Sequence, residues 1–498
     1  MNIKLNTIPI NHLNNRFKMK INGLRYSILF FLLMISLAGI SKVTLPPFFN
    51  CNMVLQQGIP IPVWGWASPG EKVTVSLDQN VVSTRTGKNG KWRVNLPKMN
   101  PGGPYMMTVK GKDLLTFGNV MIGEVWVCSG QSNMEFRVSS AKNATTEIAN
   151  ANNKNIRFFT VKKRISKEPQ ENLEEGEWSE CSPQSVADFS AVGYFFGRNL
   201  YDQLKVPIGL IHTSWGGTVA ETWMSPEAIA ADPDFSEMLG KLKNIDLKAG
   251  KLGPNSYPTL LYNGMLNAII PYGIRGAIWY QGESNAPRAQ QYKRVFPNMI
   301  KDWRTKWGEG NFPFLFVQLA NFTKPVNEPG ESNWAELREA QTQTLGLENT
   351  GMATIIDVGD ANNIHPTDKQ TVGYRLSLAA RKVAYGENLV YTGPTYQGMK
   401  IEKNKIFITF ENTGKGLQAN NKYGYVNGFT IASKDGAFKW AKATLLNSNS
   451  VMLVSEEVEN PAEVRYGWAD NPDDLNLYNS EGLPANPFRT DTRPGKTK

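Results

Sequence analysis

Val125-Trp126-Val127-Cys128-Ser129-Gly130-Gln131-Ser132-Asn133-Met134 is an apolar run that breaks at a glycine and then presents a serine. An uninterrupted apolar stretch of this length suits a strand buried on both faces of a sheet, and Gly130 lets the chain turn sharply at its end. The pattern predicts a helix opening at Ser132, where the first N–H groups have no intrahelical partner and could face a developing oxyanion. An ordinary helix N-cap reads the same way, so the rest of the chain has to decide between the two.

The chain has 498 residues, 41% hydrophobic and 20% charged, which is enough for two to four domains with their own cores. Disordered and fibrous classes are excluded by this composition. The formal charge is +10; the first 25 residues contribute five of those charges (Lys4, Arg16, Lys18, Lys20, Arg25) and no acid, leaving +5 for the rest. A remainder so modest, without a basic stripe interleaved with aromatics, gives no footprint for nucleic acid.

Behind these charges lies the apolar run Ser27–Gly39, too short for a membrane span and ending in small residues. It predicts a secretory signal peptide over 1–40, with Met19 as a second candidate start, and hence an exported, periplasmic or extracellular protein with no membrane contact after cleavage. Cys51, Cys128 and Cys181 match no zinc spacing and allow at most one internal disulfide, whose pairing the sequence leaves open.

Outward from the opening stretch, the texture changes twice. Upstream, 60–66, 72–77, 91–96 and 105–109 read as short strands separated by Pro/Gly turns, predicting a β-sandwich from about 44 to 118. From 119 to 390 strands alternate with helical stretches: strands at 122–128, 207–212, 274–280, 313–319 and 352–357, helices at 189–204, 260–270, 290–307, 334–345 and 371–385. This α/β alternation predicts an open parallel sheet flanked by helices, with function at the carboxyl ends of the strands. Residues 225–256 look like a surface excursion. A C-terminal β-rich domain is expected over 393–486, followed by a loose tail at 487–498.

Only three histidines are present, and His12 falls in the leader. His212 ends a strand before Thr213-Ser-Trp-Gly-Gly-Thr218. His365 follows the last strand of the α/β region within Asp357-Val-Gly-Asp-Ala-Asn-Asn-Ile-His-Pro366, where neighbouring Asp and Asn could orient its ring.

Five ordered blocks together resemble the sialate O-acetylesterase family within the SGNH-type hydrolases. They are Met53-Val-Leu-Gln-Gln57 with Val63-Trp-Gly-Trp66, Gly123–Met134, Ser214-Trp-Gly-Gly-Thr218 with Glu221-Thr-Trp223, Trp279-Tyr-Gln-Gly-Glu-Ser-Asn285, and Ile364-His-Pro366. The resemblance implies an SGNH-like sheet and a serine esterase acting on O-acetylated glycans, with no metal or organic cofactor. It implies Ser132 as nucleophile and His365 as base. It further implies an oxyanion hole from the N–H of Ser132, a backbone N–H at Gly217 and the side-chain amide of Gln281. Gln131, Glu283, Trp215 and Trp279 are candidate substrate-binding or supporting residues. Many SGNH hydrolases carry an acid three residues before the histidine, where this chain has Asn362. Asp360 could reach the ring instead, or a main-chain carbonyl could hold it and leave a Ser–His dyad.

Two other readings compete. Glu283 with Glu221 or Asp357 could form the carboxylate pair of a glycosidase, although five parallel strands are too few for an eight-stranded barrel and the serine block would go unexplained. Alternatively, the β domains could belong to a carbohydrate-binding protein with an inactive core. Asp357, Asp360 and Asn362 lack the downstream acid of a calcium loop. The preferred acetylated sugar and the oligomeric state are encoded in no motif.

Overall fold

The computed structural model describes residues 42–246, 253–421 and 423–497. The expected leader at 1–40 lies outside them. Among the described residues no helix is long and apolar enough to cross a membrane.

Seven strands carry the central layer: β1 (Leu114–Gly130), β2 (Asn153–Thr160), β3 (Trp178–Cys181), β4 (Ile208–Ser214), β5 (Gly276–Tyr280), β6 (Phe314–Val317) and β7 (Thr350–Ala353). Their spatial order is β7-β6-β5-β1-β4-β2-β3. All neighbours pair in parallel except β3, which closes one edge antiparallel to β2. The sequence predicts five parallel strands and the structure has six. The unread one is β2, whose Asn-Lys-Asn start and central Arg157 disguise it; Arg157 is nevertheless buried, donating to the carbonyls of Asn52 and Asn119 at 2.9 and 3.2 Å.

Strand alternation sends successive residues of β1 to opposite faces, and each face has its own helices. Val125 and Val127 pack with α3 (Ala289–Trp307) and α4 (Asn333–Thr344), through Phe296, Trp303 and Leu337. Trp126 and Cys128 pack with α2 (Ala191–Leu204) and α5 (Lys369–Val383), through Phe195, Phe196, Val372 and Leu376. The result is a helix–sheet–helix sandwich, the α/β class that the alternation predicts. Between β4 and β5, the predicted helix at 260–270 is instead a wide turn at Tyr262–Leu266 followed by a tight one at Asn267–Ile269. Asn263 and Asn267 there donate to the carbonyls of Lys167 and Gln170, holding the turn to a neighbouring loop.

β1 is longer than the sequence suggests. Its first half pairs antiparallel with Gly102–Lys110 and in parallel with Val54–Gln56, so the N-terminal β unit and the α/β layer share one strand, which runs through residue 118. The excursion after Ser225 contains two short helices, Pro226–Ala230 and Ser236–Leu242, and Asp232 beside them is clamped by Arg294 of α3. Beyond α5, small antiparallel sheets enclose a separate core of Ile406, Ile408, Phe429, Ile431 and Val451. The tail is pinned rather than loose. Buried Asp491 pairs with buried Arg465, Arg489 pairs with Glu339, and the Thr497 N–H donates to Glu336. All three cysteines are free thiols, Cys51 exposed and Cys128 and Cys181 buried, so they form no disulfide.

The strand that decides the fold ends on a contact only glycine allows. Gly130 lies between Ser214 of β4 and Tyr280 of β5 at φ +138°, and a Cβ there would sit 2.1 Å from the Tyr280 carbonyl oxygen. Gly130→Ala is therefore expected to destabilise the protein by about 3 kcal/mol, because backbone on an adjacent strand cannot withdraw as a flexible side chain could. Urea denaturation of the two proteins measures this.

Candidate active site

From Gly130 the chain passes through Gln131 into one helical turn, α1 (Ser132–Glu135). The Gln131 N–H donates to the Tyr280 carbonyl at 3.0 Å, and the Gln131 carbonyl accepts from Met134 and Glu135, which fixes where the turn starts. Ser132 is half-buried at the first position of that turn. His365 arrives from the loop after β7. Its Nε2 lies 2.8 Å from Ser132 Oγ, although the two residues are 233 positions apart in sequence.

His365 is held by its loop. Asn363 Oδ1 accepts from the His365 backbone N–H at 2.9 Å, and the Phe136 ring lies 6.4 Å from the imidazole. Partial burial, with the nearby Lys369 cation second, pushes the imidazole below its ordinary proton affinity. Asp360 does not orient it. The Asp360 carboxylate accepts from the Asn362 N–H at 2.8 Å, closing a tight local turn, and makes no hydrogen bond to His365. In this structure Asp360 is therefore not placed as the third member of a triad.

The predicted oxyanion donors divide. The Ser132 N–H opens a helical turn and has no intrahelical acceptor. Gly216 packs close to Ser132, but its own N–H donates to Glu135 at 2.6 Å. The following Gly217, at φ +74°, has an N–H with no acceptor among the described residues. Gln281 does not serve as predicted. It is fully buried, its Nε2 donates to the Thr218 carbonyl at 3.1 Å and to Asn285 Oδ1 at 2.7 Å, and its Oε1 accepts from Tyr292 at 3.0 Å. With both N–H groups committed, Gln281 shapes the Thr218 loop and presents no donor to Ser132.

The remaining candidates take supporting places. Gln131 is buried, its amide 3.3 Å from the Ser284 N–H and, when rotated, 3.2 Å from Glu283. Glu283 is half-buried, accepting from Asn133 Nδ2 at 2.6 Å, and desolvation pushes its carboxyl up. Trp279 is core, ringed by Trp223, Phe296 and Trp303, so it offers no face to a sugar. Trp215 is only half-buried, with Lys163 over its ring. His212, the other histidine among the described residues, is buried and bonded to Ser214 at 2.6 Å, and burial pushes it down to about 4.

The carboxylates of the glycosidase reading are not a facing pair. Glu221 binds Arg288 and Asn285, and Asp357 binds Arg375. Two residues that sequence reasoning missed are Asn133 and Lys369. The signal was there for Lys369, which occupies the buried stripe of α5 with Val372, Leu376 and Ala379, where an apolar residue belongs.

A serine hydroxyl within hydrogen-bond distance of a histidine, at the carboxyl ends of a parallel sheet covered by helices, is an arrangement suited to a hydrolase of the α/β class. The match to known proteins narrows this. Residues 122–382 match the family model "Carbohydrate esterase, sialic acid-specific acetylesterase". Sialate O-acetylesterases of Pongo abelii and Homo sapiens are each 32% identical over 90% of this chain and 93% of their own. A carbohydrate acetylesterase from Xanthomonas citri superposes with a TM-score of 0.83 at 41% identity, covering 91% of this chain and all of that one. The chain belongs to the sialic acid-specific acetylesterase family of carbohydrate esterases and is a carboxylic ester hydrolase.

Two measurements check the geometry. Since catalysis needs neutral imidazole and the site depresses its proton affinity, the acid limb of kcat/KM should fall below the ordinary histidine value of about 6.5; a pH–rate profile reads it. Asp360→Asn should leave turnover within about threefold, whereas a carboxylate that held the imidazole would cost about 10⁴-fold on the same change.

Proposed function

We propose that the protein is an exported serine esterase that removes O-acetyl groups from glycans through an acyl-enzyme intermediate, on sialic acids or on plant-type polysaccharides such as xylan. The observation that carries the reading is the 2.8 Å contact between Ser132 Oγ and His365 Nε2 at a half-exposed strand end. Ser132 Oγ attacks the acetyl carbonyl carbon while its proton passes to His365 Nε2. Negative charge then collects on the carbonyl oxygen, facing the N–H groups of Ser132 and Gly217. Collapse of this intermediate breaks the bond to the sugar oxygen, which takes the proton from His365. Water, deprotonated by the same imidazole, then releases acetate and restores the serine. Trp215, half-exposed beside the Gly216–Gly217 turn, gives an apolar face of the kind a pyranose ring stacks on. The relatives' name favours sialic acid, and nothing in the catalytic pair distinguishes it from a neutral sugar.

Acetate release from acetylated sialosides, xylans and pectins tests the proposal and ranks the substrates. Ser132→Ala should abolish release, and His365→Ala should lower turnover by roughly 100-fold or more, as removal of a general base does. Reducing-sugar release lost only in Glu283→Gln would favour a glycosidase, and glycan binding without turnover a lectin-like protein. N-terminal sequencing of the mature protein from the host's exported fraction should show the leader removed.

A further inference from the structure

Lys369 is in an unfavourable place for a cation. It is completely buried, and it occupies the first position of α5, where the positive end of the helix dipole faces it. No carboxylate touches it. Its Nζ donates to Asn133 Oδ1 at 2.5 Å and otherwise lies over the faces of Phe136 and Tyr280, 4.9 and 5.1 Å from the ring centres. Burial lowers its proton affinity to about 7, and desolvation raises that of Glu283, which is bonded to the same Asn133 amide.

What Lys369 holds explains the placement. With its oxygen fixed by Lys369, the Asn133 amide must aim its NH₂ the other way, where it donates to Glu283 at 2.6 Å and to the Ile364 carbonyl at 3.0 Å. Asn133 is the neighbour of Ser132, and Ile364 is the neighbour of His365. The Asn133–Ile364 hydrogen bond therefore runs beside the Ser132–His365 contact and ties the same two segments together. The acid that commonly orients the imidazole is missing from this contact, since Asp360 is turned into its own loop.

We propose that Lys369 is a positioning residue: it locks the Asn133 amide so that Asn133 clamps the histidine loop against the turn that carries Ser132. The Lys369 cation also lowers the proton affinity of the His365 ring, the opposite of a triad carboxylate, which would raise it. The charged groups facing this pocket are few. Glu283 acts through Asn133, and Asp368, which caps α5 at the Thr371 N–H and lies 3.7 Å from Lys142, precedes Lys369 in the chain. Against His365 stand Lys369, the Ser132 hydroxyl and the Phe136 ring.

The inference rests on the Ser132–His365 reading and is tested beside it. Lys369→Met places a chain of similar length and no charge among the same aromatic faces, so it should fold. Its kcat should drop about tenfold or more, as expected when an oriented base is loosened, and the acid limb of its kcat/KM profile should move to higher pH. Asn133→Ala leaves the cation in place, so it should lose turnover with the acid limb unmoved. A direct titration of the His365 ring by NMR in wild type and Lys369→Met checks the limb independently of turnover. If Lys369→Met keeps turnover within twofold with an unmoved limb and an unmoved ring titration, the proposal is wrong while the catalytic pair stands. If Ser132→Ala retains full activity, the catalytic pair itself has been misassigned.

Discussion

The active face depends on the contact between Gly130 and the carbonyl of Tyr280. Because nothing projects from Gly130, the central strand runs to its end pressed between two neighbours, and the Gln131 N–H then bonds that same carbonyl. The helical turn carrying Ser132 consequently starts on the rim of the sheet rather than over a flexible loop. Every other element of the site is measured from there. β4 delivers the Trp215–Gly217 turn on one side, β5 delivers Gln281 and Glu283 on the other, and the loop after β7 brings the histidine across two intervening strands.

Rigidity at that rim comes from polar groups that are buried and almost fully partnered. Gln281, Asn285, Thr218, Tyr292 and Glu221 form one such network, and Asn133, Glu283, Lys369 and the Ile364 carbonyl form another, next in the chain to Ser132 and His365. A buried amide left without a partner loses about 1–3 kcal/mol, so each network has one low-energy arrangement and holds its neighbours to it. This is why residues whose types suggest catalysis, such as Gln281 and Glu283, act here as supports. Their polar atoms are used to shape loops and are not available to a reacting carbonyl.

The charge distribution follows the same logic. The glycosidase reading needs two carboxyl groups across a cleft, yet Glu221 and Asp357 are each neutralised by an arginine and Glu283 is bound by the Asn133 amide. Beside Ser132 and His365 lies a buried lysine, Lys369, whose charge lowers the proton affinity of the imidazole.

The sequence by itself determined the layered α/β scaffold and singled out Ser132 and His365, which the structure places 2.8 Å apart, because each is written locally: an apolar run and a glycine mark a strand end, and only two histidines lie beyond residue 40. Five ordered blocks also determined the family. Only the tertiary structure decided which polar side chains face the reaction. Gln281 and Asp360 carry the right functional groups, and whether these point at the serine or into a loop depends on partners such as Thr218, Tyr292 and Asn362. β2 was illegible for a related reason, since an arginine reads as a surface residue until Asn52 and Asn119 supply the carbonyls that let it be buried. Lys369 is the sharpest case. Its place in an apolar stripe was visible in the chain, but its partner Asn133 reaches it and the Ile364 carbonyl only once segments more than 200 residues apart have packed together.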